Sequence, residues 1–236
     1  MRKAVVALFF LASAVAVAGT YTITTTTGAS IVAGTTDIGN HCDDCATNIA
    51  LPFSFTFYGT PYASVNVASN GSLQFASAYV GYSNTALPNG SFSSAIVAFW
   101  DDLYTSDAGS GQGIFTSISG AGPNRIFNIE YRTEHCCASG APDHNFEVRL
   151  YEGLTRIDVI YGATPDNGVS ATAGVQLDGL DYTQYSYNSA VLTPGLQITY
   201  DVAGAGPGDG AVPEPATMSM LGLGLVALGL LSRRRK

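Results

Sequence analysis

The side chains best suited to chemistry in this sequence are cysteines and histidines, and they cluster at two places. Residues 41–45 read His-Cys-Asp-Asp-Cys, residues 135–137 read His-Cys-Cys, and His144 follows shortly after. Thiolates and imidazoles bind zinc in proteins, and two cysteines separated by two residues are a familiar half of such a site. The same residues could instead form disulfides, because an even number of cysteines is typical of exported proteins.

Disulfides are the preferred interpretation of Cys42, Cys45, Cys136 and Cys137, and no metal is assigned to them. Adjacent residues of a strand point to opposite faces, so Cys136 and Cys137 do not easily share one tetrahedral ion. A bond between these two neighbours would form a strained ring. We therefore expect two bridges that join the first pair to the second, each closing a loop of about 90 residues and contributing about 4 to 5 kcal/mol on the chain-entropy model.

Carboxylates are the other candidate ligands. Asp101, Asp102 and Asp107 surround one glycine-rich loop, and Asp178 and Asp181 lie in another, so both loops offer oxygen ligands of the kind that Ca²⁺ prefers. Their spacing does not match the order of an EF-hand. Asp is common in turns because it accepts hydrogen bonds from the neighbouring backbone. We favour turns, expect no cofactor, and keep calcium as the alternative.

Catalytic motifs are missing from the sequence. It contains no Gly-x-Ser-x-Gly, no His-Glu-x-x-His and no glycine loop that binds phosphate. The three histidines lie close to cysteines rather than beside a serine. We therefore expect no catalytic residues. A glycan hydrolase with paired carboxylates stays as the alternative, because the separation of two carboxylates cannot be read from a sequence.

Segments in which apolar and polar residues alternate dominate the middle of the chain. The clearest are 53–58, 127–132 and 146–151, and alternation with a period of two is typical of a strand with one buried face. Seven further strands are predicted, at 63–68, 72–76, 95–100, 113–118, 156–161, 171–177 and 196–200. The polar, tyrosine-rich segment 182–187 predicts a loop.

Turn residues separate these strands. Asn70-Gly71 and Glu152-Gly153 predict tight hairpins. In the second hairpin, charged residues of 147–149 and 156–158 are expected to pair on a solvent-exposed face, where each pair contributes little. Many short antiparallel strands without an amphipathic helix predict an all-β protein, an antiparallel β-sandwich of jelly-roll type. A β-barrel is the alternative.

The charge balance restricts the possible partners. The chain has a formal net charge of −8, but its cations gather at the two ends. The middle retains four arginines against 17 Asp and Glu residues, which gives it a charge of about −13. A surface without a basic patch cannot neutralise phosphates, so nucleic acid is not an expected partner.

The first 18 residues have the pattern of a secretory signal peptide. Arg2 and Lys3 precede an apolar run over 4–17, and the small residues 16–18 form a cleavage site before Gly19. The sequence therefore predicts export.

The last 24 residues have the order of a short membrane anchor. Pro213-Glu214-Pro215, preceded by Val212, comes before an apolar run over 218–231. The chain then reads Arg233, Arg234, Arg235 and Lys236. A helix over the apolar run is about 21 Å long, against about 30 Å for the hydrocarbon core of a bilayer, so it spans only marginally. The basic residues hold that end on the cytoplasmic side and leave the domain outside.

This order of motif, apolar helix and basic stop resembles the PEP-CTERM sorting signal of bacterial surface proteins. The resemblance implies that an exosortase recognises the motif over 212–215 and removes the tail after transient anchoring in the inner membrane of a Gram-negative cell. A permanent membrane helix is the alternative. The short length and three glycines of the apolar run disfavour it.

The middle of the chain resembles the nidogen-like extracellular β domains of bacterial surface proteins. Five segments carry this resemblance by their order, namely 51–59, 67–75, 98–103, 146–152 and 173–176. The similarity covers about residues 48–178. It implies a role in extracellular adhesion.

Together these patterns predict a chain of four parts, a signal peptide at 1–18, a β-sandwich domain at 19–202, a glycine-rich spacer at 203–212 and the sorting signal at 213–236. The expected function is that of a non-enzymatic surface or extracellular-matrix protein, linked to adhesion or to exopolysaccharide in a biofilm matrix. Its expected partners are an exosortase, the membrane through the C-terminal helix, and extracellular polysaccharide. A secreted carbohydrate-binding protein or glycan hydrolase is the alternative.

Overall fold

The computed structural model describes residues 20–136 and 140–202. Within them the chain forms β-strands and one short 3-10 turn at Ala108–Ser110. The prediction of an all-β protein is therefore confirmed. The predicted signal peptide, spacer and sorting tail lie outside the described residues, as does Cys137. None of the helical structure in residues 20–136 and 140–202 is long and apolar enough to cross a bilayer.

The strands, in chain order, are β1 (Tyr21–Thr26), β2 (Thr36–Asp37), β3 (Ala46–Phe57), β4 (Thr60–Ala68), β5 (Ser72–Gln74), β6 (Ala95–Trp100), β7 (Leu103–Tyr104), β8 (Gly113–Ser119), β9 (Ile126–His135), β10 (His144–Tyr151), β11 (Ile157–Tyr161), β12 (Thr172–Gln176), β13 (Tyr182–Tyr187) and β14 (Gln197–Val202). They form two antiparallel sheets. The first has the order β1-β14-β11-β10-β9-β8-β2, with β7 beside β9, and the second has the order β13-β12-β6-β5-β4-β3. The two sheets stack as a sandwich, as predicted.

All ten strands predicted from alternation are present, and both predicted hairpins are confirmed. The turn at Asn70-Gly71 places Val67 opposite Leu73, and the turn at Gly153 places Leu150 opposite Ile157. The predicted loop over Tyr182–Tyr187 is wrong, because this segment forms β13 at the edge of the second sheet. It is mostly exposed or half-buried, so it lacks the apolar alternation of a strand that faces the core.

Aromatic rings connect the two sheets inside the sandwich. Phe99 of β6 lies in the second sheet and Phe146 of β10 in the first, and their ring centroids are 5.5 Å apart. Tyr131 of β9 stacks on Phe146 at 4.5 Å. All three side chains are buried. Because apolar and polar residues alternate along β9 and β10, these aromatic rings lie on the face that meets the other sheet.

β6 is buried along its whole length. Its inner face meets the main core, and its outer face packs Trp100 against Phe92 and Leu87 of the loop that crosses that sheet. The Trp100 indole Nε1 donates to the carbonyl oxygen of Gly81 at 2.7 Å. β6 is consequently the centre of the second sheet, and the residues that follow it are held firmly.

The segment 27–35 crosses the outer face of β9 and β10. Its Val32 N–H donates to Glu147 at 2.9 Å, and its Gly34 N–H donates to Glu130 at 2.7 Å. Arg149 and Arg132 pair with these two carboxylates from two residues away on the same strands. We call these residues and the segment they hold the N-terminal clamp.

The charged pairs of the second hairpin are buried, which differs from the position expected for them. The side chain of Glu147 has no exposed surface, and that of Asp158, which pairs with Arg156, is 1% exposed. The expectation of a solvent-exposed face is wrong, because the 27–35 segment and neighbouring side chains cover these carboxylates. Each pair also joins two residues that are two apart in the chain, rather than residues across the hairpin.

Candidate functional site

Two histidines and three aspartates meet at one end of the sandwich. His135 is the last residue of β9 and His144 the first of β10, so the hairpin brings the two imidazoles together. Asp101 directly follows β6, Asp166 lies in the loop after β11, and Asp143 precedes β10. We call these five residues the histidine–aspartate cluster. It draws on both sheets of the sandwich.

The two imidazole rings are stacked, and carboxylates surround them. Their centroids are 5.0 Å apart with an interplanar angle of 11°. His135 Nε2 lies 2.8 Å from Asp101 Oδ2 and 3.9 Å from Asp166 Oδ2. His144 Nε2 lies 3.4 Å from Asp166 Oδ1, and its Nδ1 lies 2.6 Å from Asp143 Oδ1. Asp166 therefore faces both rings.

Burial and hydrogen bonding set the charges of this cluster. The hydrogen bond to Asp101 raises the pKa of His135, and partial burial opposes that shift. Burial alone would raise the pKa of Asp101, but hydrogen bonds from His135, Ser170 and the Asp102 N–H outweigh it and lower the pKa. The cluster therefore holds an ionised carboxylate in a protected position.

Ser170 adds a hydroxyl to the cluster but not a nucleophile–base pair. Its Oγ donates to Asp101 Oδ2 at 2.6 Å, on the carboxylate that also accepts from His135. In acyl-transfer sites the serine hydroxyl instead donates to the imidazole, which removes its proton. The hydroxyl here orients Asp101.

The cysteines meet near this cluster, but their connectivity differs from the one expected. Cys42 is bonded to Cys45, with their Cα atoms 6.1 Å apart. Cys136 is disulfide-bonded as well, and its Sγ lies 4.0 Å from Asp43 Oδ2. The two cysteine segments are therefore neighbours in space, as bridges between them would require. The bond between Cys42 and Cys45 nevertheless excludes such bridges, because each cysteine forms only one disulfide. A tight turn with Asp44 at φ 50° brings these two cysteines within bonding distance.

Tryptic mapping without reduction tests this connectivity. The domain has cleavage sites at its four arginines, and those at Arg125 and Arg132 separate the Cys42–Cys45 peptide from the one containing Cys136. We expect the peptide that contains Cys42 and Cys45 to be separate from the one that contains Cys136, and to become 2 Da heavier after reduction. One cross-linked species would contradict the structure. Replacing Cys42 and Cys45 together by serine is expected to cost about 2 kcal/mol of unfolding free energy, because so short a loop removes little entropy from the unfolded chain.

The aspartates considered for calcium have local partners. Asp107 caps the 3-10 turn by accepting from Ser110 N and Oγ. Asp178 accepts from the N–H groups of Leu180 and Asp181. These are the contacts of turn residues, which is the interpretation that the sequence favoured over calcium ligands.

Asp102 lies apart from the histidine–aspartate cluster, beside Asp43 and Cys136. Burial raises its pKa, and repulsion from Asp43 and Asp44 raises it further. Because Cys136 is disulfide-bonded, it offers no thiolate to a metal there.

A second group able to hold a metal ion is His135, His144 and Asp166, whose ligand atoms lie within 4.8 Å of one another. The sequence pointed to His135 and His144 through their nearness to cysteines, yet it gave no sign of Asp166. Asp143 could have been noticed because it is adjacent to His144. Asp166 joins the group only because the loop after β11 folds back over the β9–β10 hairpin.

Comparison with protein families yields two matches that divide the chain. A model of the NIDO-related family matches residues 15–211, and a model of the PEP-CTERM protein-sorting motif matches residues 211–236. Neither the curated proteins nor the solved structures contain a significant match.

Proposed function

We propose that this chain, which belongs to the NIDO-related family and carries a PEP-CTERM sorting motif, is a non-enzymatic component of an extracellular polysaccharide matrix. The sorting motif makes it an exported, surface-sorted protein that is processed by an exosortase. The proposal concerns what the domain does after sorting: it contacts extracellular polysaccharide without cleaving it. The observation that carries it is an exposed aromatic and amide surface on a domain whose cations are all paired.

The proposed route begins with export through the signal peptide and transient anchoring by the apolar run over 218–231. Cleavage near residues 212–215 then releases the domain to the outer surface of a Gram-negative cell. The four terminal cations of the tail are removed with it, which leaves the released domain acidic.

Charge favours an uncharged contact with the polymer. Each described arginine pairs with a carboxylate, in the pairs Arg125–Glu152, Arg132–Glu130, Arg149–Glu147 and Arg156–Asp158. Each of these guanidinium groups already has a carboxylate partner, which weakens its attraction for the acidic groups of a polymer. The domain would then recognise the neutral hydroxyl groups and ring faces of the polymer, for which aromatic rings and amides are suited.

Tyr82 and Tyr187 provide such a surface. Their side chains are among the exposed large hydrophobic groups, at 49% and 40% exposure. Close to them in sequence, Asn84 Nδ2 donates to Asn188 Oδ1 at 2.8 Å and to Thr172 Oγ1 at 3.1 Å. These contacts hold the loop that carries Tyr82 against β12 and the end of β13. We call Tyr82, Asn84, Tyr187 and Asn188 the tyrosine–asparagine surface.

The sorting part of the proposal is tested by intact mass and cell fractionation, in strains with and without the exosortase. With the peptidase we expect a protein that ends near residues 212–215 in the extracellular fraction. Without it, the tail should stay attached and the protein should sediment with membranes. Replacing Pro213, Glu214 and Pro215 by alanine should give the second pattern in both strains, whereas Asp209→Asn should not. A tail retained in both strains for the unaltered protein would indicate a permanent anchor.

The matrix part is tested by retention of the released protein on polysaccharide purified from the same cells. Tyr82→Ala with Tyr187→Ala should lower retention about tenfold, on the scale of one or two lost stacking contacts. Tyr182→Ala is the matched control, because Tyr182 is also 40% exposed but lies at the opposite end of β13. Shortening of the polysaccharide during incubation would indicate a hydrolase instead.

A further inference from the structure

We propose that His135, His144 and Asp166 bind a zinc ion at the end of the sandwich, with Asp101 as the fourth ligand. The proposal does not depend on the function proposed for the tyrosine–asparagine surface. It rests on the positions of the ligand atoms, on the carboxylate that orients one histidine, and on the uncompensated negative charge of the site.

The ligand atoms of His135, His144 and Asp166 lie within 4.8 Å of one another, which is close enough for one ion to draw them together. Zinc–nitrogen and zinc–oxygen bonds of about 2.0 to 2.1 Å place neighbouring ligand atoms about 3.3 Å apart. His144 Nε2 and His135 Nε2 lie 3.4 Å and 3.9 Å from the two oxygens of Asp166. Both distances exceed this value, so these side chains move closer together when the ion binds.

Asp143 fixes His144 in the form that binds metals. A carboxylate only accepts hydrogen bonds, so the 2.6 Å contact with Asp143 Oδ1 requires the hydrogen of His144 on Nδ1. In the neutral ring the lone pair is then on Nε2, which faces Asp166. A histidine that ligates zinc typically donates its other ring hydrogen to a carboxylate in this way. The His144 side chain is 4% exposed, so its orientation is rigid.

Asp101 is placed to complete the coordination. Its Oδ2 lies 2.8 Å from His135 Nε2, and its Oδ1 accepts from the Asp102 N–H. Zinc binding replaces the hydrogen bond between His135 and Asp101, and the proton of His135 Nε2 leaves to solvent. Nε2 and Oδ2 then both face the ion.

The charge of the site favours a cation, and its nitrogens select a transition metal. Three carboxylates surround two imidazoles. The four described arginines pair with other acids, so none of their ion pairs neutralises the carboxylates of the cluster. Calcium and magnesium prefer oxygen ligands alone, whereas imidazole suits zinc. Because Asp101 follows a strand of one sheet and the histidines belong to the other, the ion would also tie the two sheets together.

The test uses the full-length chain without a polyhistidine tag, purified in detergent and stripped of metal with a chelator. Titration calorimetry with Zn²⁺ should show one ion per chain, and Zn²⁺ should raise the unfolding temperature. Calcium at tenfold higher concentration should produce no shift. Co²⁺ should give the visible absorption of a tetrahedral site.

Three variants separate the ligands from their surroundings. Asp166→Asn keeps the acceptor for the Gly168 N–H but loses the charge, and His144→Asn removes a ligand. Each should weaken zinc binding at least about tenfold, and Asp143→Asn should weaken it about 10- to 100-fold. The matched control is His41→Asn, because His41 pairs with Asp37 outside the cluster. The zinc affinity of this variant should equal that of the unaltered chain.

Unaltered zinc affinity in Asp166→Asn and His144→Asn would overturn the assignment, as would the failure of the unaltered chain to bind Zn²⁺ at millimolar concentration. If circular dichroism shows that His144→Asn does not fold, Asp166→Asn decides the question alone.

Discussion

Gly71→Ala is expected to destabilise the domain by about 3 kcal/mol or more, because the substitution combines backbone strain with a direct clash. Gly71 has φ +76°, a conformation that costs an alanine about 1 to 2 kcal/mol. A Cβ built there would lie 1.9 Å from the carbonyl oxygen of Phe99. The measurement is the free energy of unfolding in urea.

The clash has no easy relief, because both sides are backbone held by hydrogen bonds. The carbonyl of Gly71 accepts from the N–H groups of Ala98 and Phe99 at 3.0 and 3.1 Å. Neighbouring Asn70 accepts from the Leu103 N–H at 2.8 Å. The β4–β5 turn is thereby attached to the C-terminal half of the central strand β6 and to β7.

Gly153→Ala is the matched control for this experiment. Gly153 also sits in a hairpin turn with φ +74°, but a Cβ there meets no atom within 4 Å. It should therefore cost only the backbone strain, about 1 to 2 kcal/mol. Equal losses at the two positions would show that the contact between the turn and β6 does not contribute.

Arg149→Met is expected to cost about 3 to 5 kcal/mol, the usual result of leaving a buried charge without its partner. Arg149 donates to Glu147 from Nε and Nη2, at 3.0 and 2.9 Å, and to the carbonyl of Ser30 at 2.7 Å. Removing these donors breaks the N-terminal clamp. Urea unfolding at pH 7 measures the loss.

The double variant Glu147→Gln with Arg149→Met should be more stable than Arg149→Met alone. It retains a neutral acceptor for the Val32 N–H and leaves no charge buried. Asp37→Ala is the control for an exposed pair, since the Asp37 side chain is 44% exposed beside His41. It should cost less than about 1 kcal/mol. A double variant as unstable as Arg149→Met would contradict the role given to the buried charge.

The loss in Arg149→Met should also shrink at low pH. Burial raises the pKa of Glu147 in the folded protein, nearby Glu130 adds to the shift, and hydrogen bonds from Arg149 and Val32 oppose it. Without Arg149 the pKa rises further. A carboxyl whose pKa is raised by folding favours the folded state below its unfolded pKa and loses that contribution as pH rises through the folded value. The variant should therefore lie closer to the unaltered protein at pH 5 than at pH 8.

The strands and hairpins could be read from the sequence because their signals are local. Alternation over 127–132 and 146–151 places one side of each strand in the core, and Asn70-Gly71 supplies the φ that a tight turn needs. β13 was not predicted because an edge strand buries few side chains, so its apolar and polar residues need not alternate. The outer faces of β9 and β10 were misjudged for another reason: residues 27–35, about 100 residues away in sequence, cover them.

The histidine–aspartate cluster was only half visible in the sequence. His135 and His144 stand out through their type, but Asp101 and Asp166 are separated from them by 34 and 22 residues or more. The cysteine pairing shows the same limit. The spacing of Cys42 and Cys45 also fits zinc ligands or bridges to Cys136 and Cys137, so it could not reveal that these two cysteines bond to each other.

The sequence by itself determined the export and sorting pattern at the two ends, the all-β class, the hairpins and the acidic character of the domain. These properties depend on residues within one strand, turn or terminal segment, where spacing along the chain equals spacing in space. Only the tertiary structure decided which cysteines bond, which charges are buried and which carboxylates meet the two histidines. The burial of the charges and the meeting of the carboxylates with the histidines depend on segments that are far apart in the chain, because stacking two sheets brings the ends of distant strands to one edge. The Cys42–Cys45 bond is local, but its choice over bridges to the second cysteine pair was visible only in the structure.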